Sequence, residues 1–128
     1  MPLNKQCFFI DDDEDDRDFF CTAITEIDAG LKCFFAKDGL DAINKLKNDL
    51  SLLPDFIFID MNMPLMDGKE CLQAIKKIDR LKQIPVYIYS TAGSPKIVEE
   101  VLAAGAEDFL LKPSNMAGLI SMLREIVN

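Results

Sequence analysis

The chain has 128 residues, 49% of them hydrophobic and 28% charged, which suits one domain of roughly ordinary core size. No apolar run approaches the roughly 18 residues that span a bilayer. There are 22 acids, 14 bases and no histidine, which excludes histidine acid–base chemistry and a phosphohistidine carrier and, without a basic stripe, argues against binding nucleic acid or a membrane directly.

In chain order, the first apolar run, Cys7 to Ile10, reads as a buried strand. Before it, no basic stretch leads into a long apolar one, so no secretory leader is expected. After it stand six consecutive acids, Asp11 to Asp16; without them the balance is 16 acids against 14 bases. The acidity is largely one local feature. Phe19, Phe20, Ala23, Ile24 and Ile27 recur at helical spacing, and Gly30 can close that helix. A second strand is expected over Leu31–Ala36, and Asp38-Gly39 opens a helix carrying Leu40, Ile43, Leu46 and Leu50. Phe56–Ile59 reads as the third strand, with Pro64 and Gly68 in its loop and Cys71, Leu72, Ile75 and Ile78 on the next helix. Pro85–Tyr89 is the fourth. Pro95 suits the first turn of the following helix, which bears Ile97, Val101 and Leu102 and ends at Gly105. Asp108–Leu111 and a helix with Leu119, Met122, Leu123 and Ile126 complete the pattern.

Unbroken rather than alternating hydrophobicity suggests strands covered on both faces, as in a parallel sheet. Strand–helix repeated five times predicts an α/β, doubly wound (βα)5 fold, a single domain over 1–128 with its core at about 5–127. Cys7, Cys21, Cys33 and Cys71 are irregularly spaced with no CxxC pair. Reduced, mostly buried thiols in a cytoplasmic protein are expected, rather than a zinc site needing all four.

In open α/β sheets the site lies outside the carboxyl ends of the strands. Those ends carry Asp11-Asp12, Asp60, Ser90 and Lys112. Converging carboxylates repel one another, and a hard divalent cation such as Mg²⁺ relieves this with oxygen ligands. Asp12 and Asp60 offer a two-carboxylate grip, and a loop carbonyl near Asn62 can add a third oxygen. Asp13 to Asp16 read instead as a solvated stretch at a helix N-terminus. Lys112 is either a solvated strand end or an ammonium aimed at the cluster, where it can clamp a phosphoryl oxygen. Ser90 alone says little, since strand-end hydroxyls commonly cap or turn.

The residues Ile10-Asp11-Asp12, Ile59-Asp60-Met61-Asn62-Met63-Pro64 with Met66-Asp67-Gly68, Tyr89-Ser90-Thr91 and Lys112-Pro113 resemble a CheY-like receiver domain of bacterial response regulators. The resemblance covers residues 5 to 127, and the spacing agrees: thirty positions from Asp60 to Ser90, fifty-two from Asp60 to Lys112. It implies a five-stranded parallel sheet in order 2-1-3-4-5, for which the CheY fold is itself a standard example. It implies Asp60 as phosphoacceptor. Mg²⁺ would be held by Asp12, Asp60 and the Asn62 carbonyl, with Asp11 acting through water. Ser90 and Lys112 would bind phosphoryl oxygens. Phe109, where relatives carry Tyr or Phe, would change rotamer on activation, with Thr91 beside the site where Ala is commoner. Ala92 offers no group to orient water, which implies a long-lived phosphoryl state.

The implied function is a stand-alone signalling switch, not an enzyme beyond its own phosphorylation and dephosphorylation. Its partners would be a sensor histidine kinase or histidine phosphotransfer protein and a protein target. The target is expected on helix four, strand five and helix five, with Val98, Leu102, Phe109 and Met122 on the exposed side. A phosphorylation-independent binding module is one alternative. An aspartyl-nucleophile phosphatase is another, but it normally needs an acid where Asn62 stands. A flavodoxin-like carrier is disfavoured by the six acids where its flavin phosphate would bind.

Overall fold

A computed structural model describes residues 5–127; the start of the chain, where no leader is expected, lies partly outside the described residues. The elements are β1 (Gln6–Ile10), α1 (Glu14–Ile27), β2 (Lys32–Ala36), α2 (Gly39–Asn48), β3 (Phe56–Asp60), α3 (Gly68–Lys76), a 3₁₀ turn (Asp79–Leu81), β4 (Val86–Ser90), α4 (Pro95–Ala103), β5 (Asp108–Leu111) and α5 (Met116–Val127). All strand pairs are parallel, in the order β2-β1-β3-β4-β5. The (βα)5 architecture and strand order are those expected.

Side-chain alternation divides the apolar runs between two cores. Phe8, Ile10, Ile57, Ile59, Val86 and Ile88 meet buried residues of α2, α3 and α4 on one face. Cys7, Phe9, Phe58 and Tyr89 meet Phe20, Ile24, Leu119 and Leu123 of α1 and α5 on the other. Phe9 stacks on Phe20 with centroids 4.0 Å apart. A central strand apolar on both faces is the physical reason for a run without polar alternation.

Coverage on both faces holds for β1, β3 and β4 but not for the edges. Phe34 and Phe35 of β2 are each 38% exposed, and Leu111 at the end of β5 is also exposed. Phe19, Leu40 and Leu102 flank their buried helical stripes and face solvent, while Leu50 lies past the end of α2. The first helix stops before Gly30: Asp28 ends it, its N–H bonded to the Ile24 carbonyl, and its carboxylate accepts the Gly30 N–H. Gly105 does close α4, with φ +110° in the region glycine favours.

The caps explain where the helices begin. Asp13 accepts the N–H groups of Asp15 and Asp16, Asp38 that of Asp41, and Ser94 that of Ile97. Asp67 and Glu70 form a reciprocal capping box at α3. Each helix that follows a strand thus starts at the carboxyl edge of the sheet. No helix of the described residues is long and apolar enough to cross a membrane.

Candidate functional site

Asp11 follows β1 directly, and its N–H continues the ladder to the Ala36 carbonyl at 3.2 Å. That placement buries its side chain completely, whereas the next residue, Asp12, is exposed. Asp60 is the last residue of β3 and nearly buried. Gly68 brings the start of α3 against it: a Cβ there would stand 2.8 Å from Met61 Cα and 2.9 Å from the Asp60 carbonyl oxygen. One carboxylate oxygen each from Asp11, Asp12 and Asp60 lie within 4.8 Å of one another.

Lys112 leaves β5 with its N–H bonded to the Ser90 carbonyl at 2.7 Å, which turns its side chain back over the site. Its Nζ lies 3.4 Å from Asp60 Oδ1, 3.3 Å from Asp11 Oδ2 and 2.9 Å from Asp16 Oδ2. The Tyr89 ring lies beneath it, 5.3 Å away at the centroid. Lys112 is thus paired with three carboxylates rather than left as a solvated strand end. Ser90 is buried, and its hydroxyl donates to the Ala92 carbonyl at 2.9 Å. The Asn62 N–H approaches Asp60 Oδ1 at 3.4 Å.

The electrostatics follow from burial. Desolvation raises the Asp11 pKa to about 6, outweighing the bond from the Asp13 N–H, and Asp60 adds repulsion. Burial also raises that of Asp60, although Lys112 and the Asn62 N–H oppose it. Desolvation pulls the Lys112 ammonium down, but Asp16, Asp11 and Asp60 together leave its pKa above the usual lysine range. One ammonium among converging carboxylates leaves a surplus of negative charge and hard oxygen donors. Those residues fit a small divalent cation.

The expected output residues do not form one exposed patch. Leu102 on α4 is exposed and Val98 half-buried; Phe109 and Met122 are half-buried and pack on opposite faces of the sheet. Successive strand residues point to opposite faces, and α5 covers the face that α4 does not. The Phe109 ring fills the space where a side chain at Gly93 would stand. Thr91 is exposed beside Ser90.

Asp16 stands in the first turn of α1 and stays part-exposed, as a solvated run implies, but the acid run by itself gives no sign of its contact with the site. Its carboxylate makes the shortest contact to Lys112. The available signal was helical phase: with Asp13 as cap, the residue three later stands on the first turn, over the same edge. Arg17 was also missed; its guanidinium donates to the Asp11 carbonyl at 2.8 Å.

The family model for the response regulator receiver domain matches residues 7–124. Among curated proteins, the two-component response regulator ARR15 of Arabidopsis thaliana is 32% identical over 106 residues, covering 81% of this chain and 50% of that protein. A protein-glutamate methylesterase/protein-glutamine glutaminase of Methanospirillum hungatei is 37% identical over 91 residues, 71% of this chain and 25% of that one. The chain thus spans a quarter to a half of such relatives. Among solved structures, Vibrio cholerae chemotaxis response regulator CheY4 has a TM-score of 0.84 at 28% identity, covering 98% of this chain and 100% of that one. The phosphorylated cyanobacterial phytochrome response regulator RcpA has a TM-score of 0.85 at 25% identity, covering 97% and 91%. By the family match, the sheet order and the residues at its carboxyl edge, this chain belongs to the response regulator receiver domains of two-component systems.

Proposed function

We propose that the chain is a phosphorylation-controlled signalling switch in which Asp60 receives a phosphoryl group from a sensor histidine kinase or a histidine phosphotransfer protein. The observation that carries this reading is the Lys112 ammonium 3.4 Å from Asp60 Oδ1, beside the oxygens of Asp11 and Asp12. A carboxylate oxygen of Asp60 attacks phosphorus in line. The new O–P bond forms as the donor's P–N bond breaks, and the departing imidazole takes a proton. Asp12, Asp60 and the Asn62 carbonyl would hold Mg²⁺, with Asp11 contributing through water. Bound there, the ion neutralises charge on the phosphoryl oxygens. Solved relatives include a Mn²⁺-bound Rcp1.

The chain's own groups do the rest. Lys112 pairs with one phosphoryl oxygen. The Ser90 hydroxyl, now spent on the Ala92 carbonyl, turns to another and draws the Thr91–Gly93 loop inward. Phe109 lies against Gly93, so that movement reaches β5 and its neighbour α4, where Val98 and Leu102 face a protein target; Met122 belongs to the α5 flank. The methyl of Ala92 orients no attacking water, which favours a long-lived phosphoryl group. The chain is not an enzyme on other substrates, and Asn62 supplies no acid for phosphatase turnover. It acts in the cytoplasm, away from nucleic acid and membrane.

Intact mass after incubation with acetyl phosphate tests this, with and without Mg²⁺. The expected result is one Mg²⁺-dependent phosphoryl adduct that Asp60→Asn abolishes. No adduct on folded protein would favour a phosphorylation-independent binding module. Rapid accumulation of inorganic phosphate would favour the phosphatase.

A further inference from the structure

The Lys112 ammonium has three N–H bonds to give, and three carboxylates stand around it. Resting on the reading of Asp60 as phosphoacceptor, an arriving phosphoryl oxygen must displace one of them. Asp11 is fully buried and, among the described residues, its carboxylate accepts only the Asp13 N–H besides, so losing Lys112 would leave its charge poorly compensated. Asp60 carries the incoming group itself. Asp16 is different: its side chain is 43% exposed, and water can take over its oxygens when the ammonium leaves.

We propose that Asp16 is a positioning residue, the exchangeable partner that holds the Lys112 ammonium beside Asp60 until a phosphoryl oxygen takes its place. Asp16 and Lys112 also line one cleft of about 280 Å³, with Asp15, Phe19, Tyr89 and Pro113 on its walls. A donor entering from that side meets the Asp16 carboxylate first and competes with it for the same N–H. The residue therefore sets how readily the site accepts a donor, without touching phosphorus.

The test compares initial phosphorylation rates against acetyl phosphate concentration, with saturating Mg²⁺, for wild type, Asp16→Asn, Asp16→Glu and Asp15→Asn. Asp15 is exposed in the same cleft, but among the described residues no ion pair joins it to Lys112, so its variant reports the loss of one negative charge there without loss of a contact to the ammonium. For Asp16→Asn the half-saturating donor concentration is expected to fall about threefold or more, with the maximal rate little changed. Asp15→Asn should move it by less than half as much, and Asp16→Glu should restore the wild-type value. Equal effects of the two asparagine variants would overturn the exchange role and leave only a field effect. A slower maximal rate in Asp16→Asn would overturn it too, by making Asp16 a fixed support of Lys112. Wild type with no adduct would instead bring down the phosphoacceptor reading, and this inference with it.

Discussion

Cys33 lies beside two thiols that are twelve and twenty-six positions earlier in the chain, Cys21 and Cys7. Parallel pairing sets Cys7 directly across from Cys33, and α1 brings Cys21 over β2. No two of the four cysteines are bonded. A hydrogen bond with Cys33, then burial, drives the Cys21 thiol far above its usual range. Cys33 is also raised: the Cys21 bond lowers it, but the Cys7 bond and burial prevail. Burial pushes Cys71 to about 12. Thiolate is the reacting form, so native protein should alkylate with iodoacetamide at pH 8 at least about tenfold more slowly than unfolded protein. Between pH 8 and 10 the unfolded rate should climb while the native rate stays nearly flat; parallel curves would show the thiols to be ordinary. Irregular spacing hides such a cluster, because only strand register creates it. Asp11, Asp60, Ser90 and Lys112 were legible for the opposite reason. Each stands where an apolar run stops, and in this sheet class that position alone fixes the edge. Asp16 was not legible, since a run of charge carries no mark of which member turns inward.

At the scale of the element, β2 shows how an exposed edge is closed. An edge strand offers unpaired N–H and C=O groups to other chains. Here α2 occupies two of them: Lys45 Nζ donates to the Phe35 carbonyl at 2.8 Å, and Asp41 Oδ2 accepts the Lys37 N–H at 3.1 Å. The two side chains also pair with each other at 3.2 Å, one helical turn apart. Partial burial pushes the Asp41 pKa up, but the Lys37 N–H and the Lys45 ammonium outweigh it and hold the carboxyl below its ordinary 3.8. A lowered folded pKa means stability that is present above pH 3.8 and lost as pH falls through the folded value. Water screens this pair, so Asp41→Asn should cost no more than about 1 kcal/mol at pH 7. The difference from wild type should shrink as pH falls below 3.8 and vanish once pH is below the lowered folded value, and the Lys37 amide should exchange faster in the variant at neutral pH. An unchanged Lys37 exchange rate would remove Asp41 from this role. Element types and most boundaries were readable from period and caps. The exposure of Phe34, Phe35 and Leu111 was not, because an apolar run looks the same in a central strand and at an edge.

For the whole molecule, five strand–helix repeats aim the N-termini of the helices and the carboxyl ends of the strands at one edge. The repeat was legible from the alternation of apolar runs and helical spacing; the order of the strands came only through family resemblance, since periodicity says nothing of which strands are neighbours. This arrangement sets the positive ends of the helix dipoles toward the acids, which softens their repulsion. It does not cancel it: the chain carries −8 overall, and burial holds both Asp11 and Asp60 above the ordinary carboxylate range. The metal-free fold is therefore held below the stability its packing would otherwise reach. Asp60→Asn removes one nearly buried charge while Lys112 keeps Asp11 and Asp16, so the metal-free variant should melt a few degrees above wild type, on the order of 1 kcal/mol. Asp12 is exposed, and Asp12→Asn should leave the metal-free Tm nearly unchanged. On the proposed reading of this edge as a Mg²⁺ site, the ion should reverse the ranking. At ten times its dissociation constant it should stabilise wild type by about 1.4 kcal/mol through linkage, and both variants by clearly less. Scanning calorimetry with and without Mg²⁺ separates the two effects: a ligand that is also a buried charge gains in metal-free stability what it loses in metal response, whereas an exposed ligand only loses. A metal-free Asp60→Asn protein less stable than wild type would mean that Asp60 is compensated by Lys112 alone, and that the edge needs no cation to be at rest.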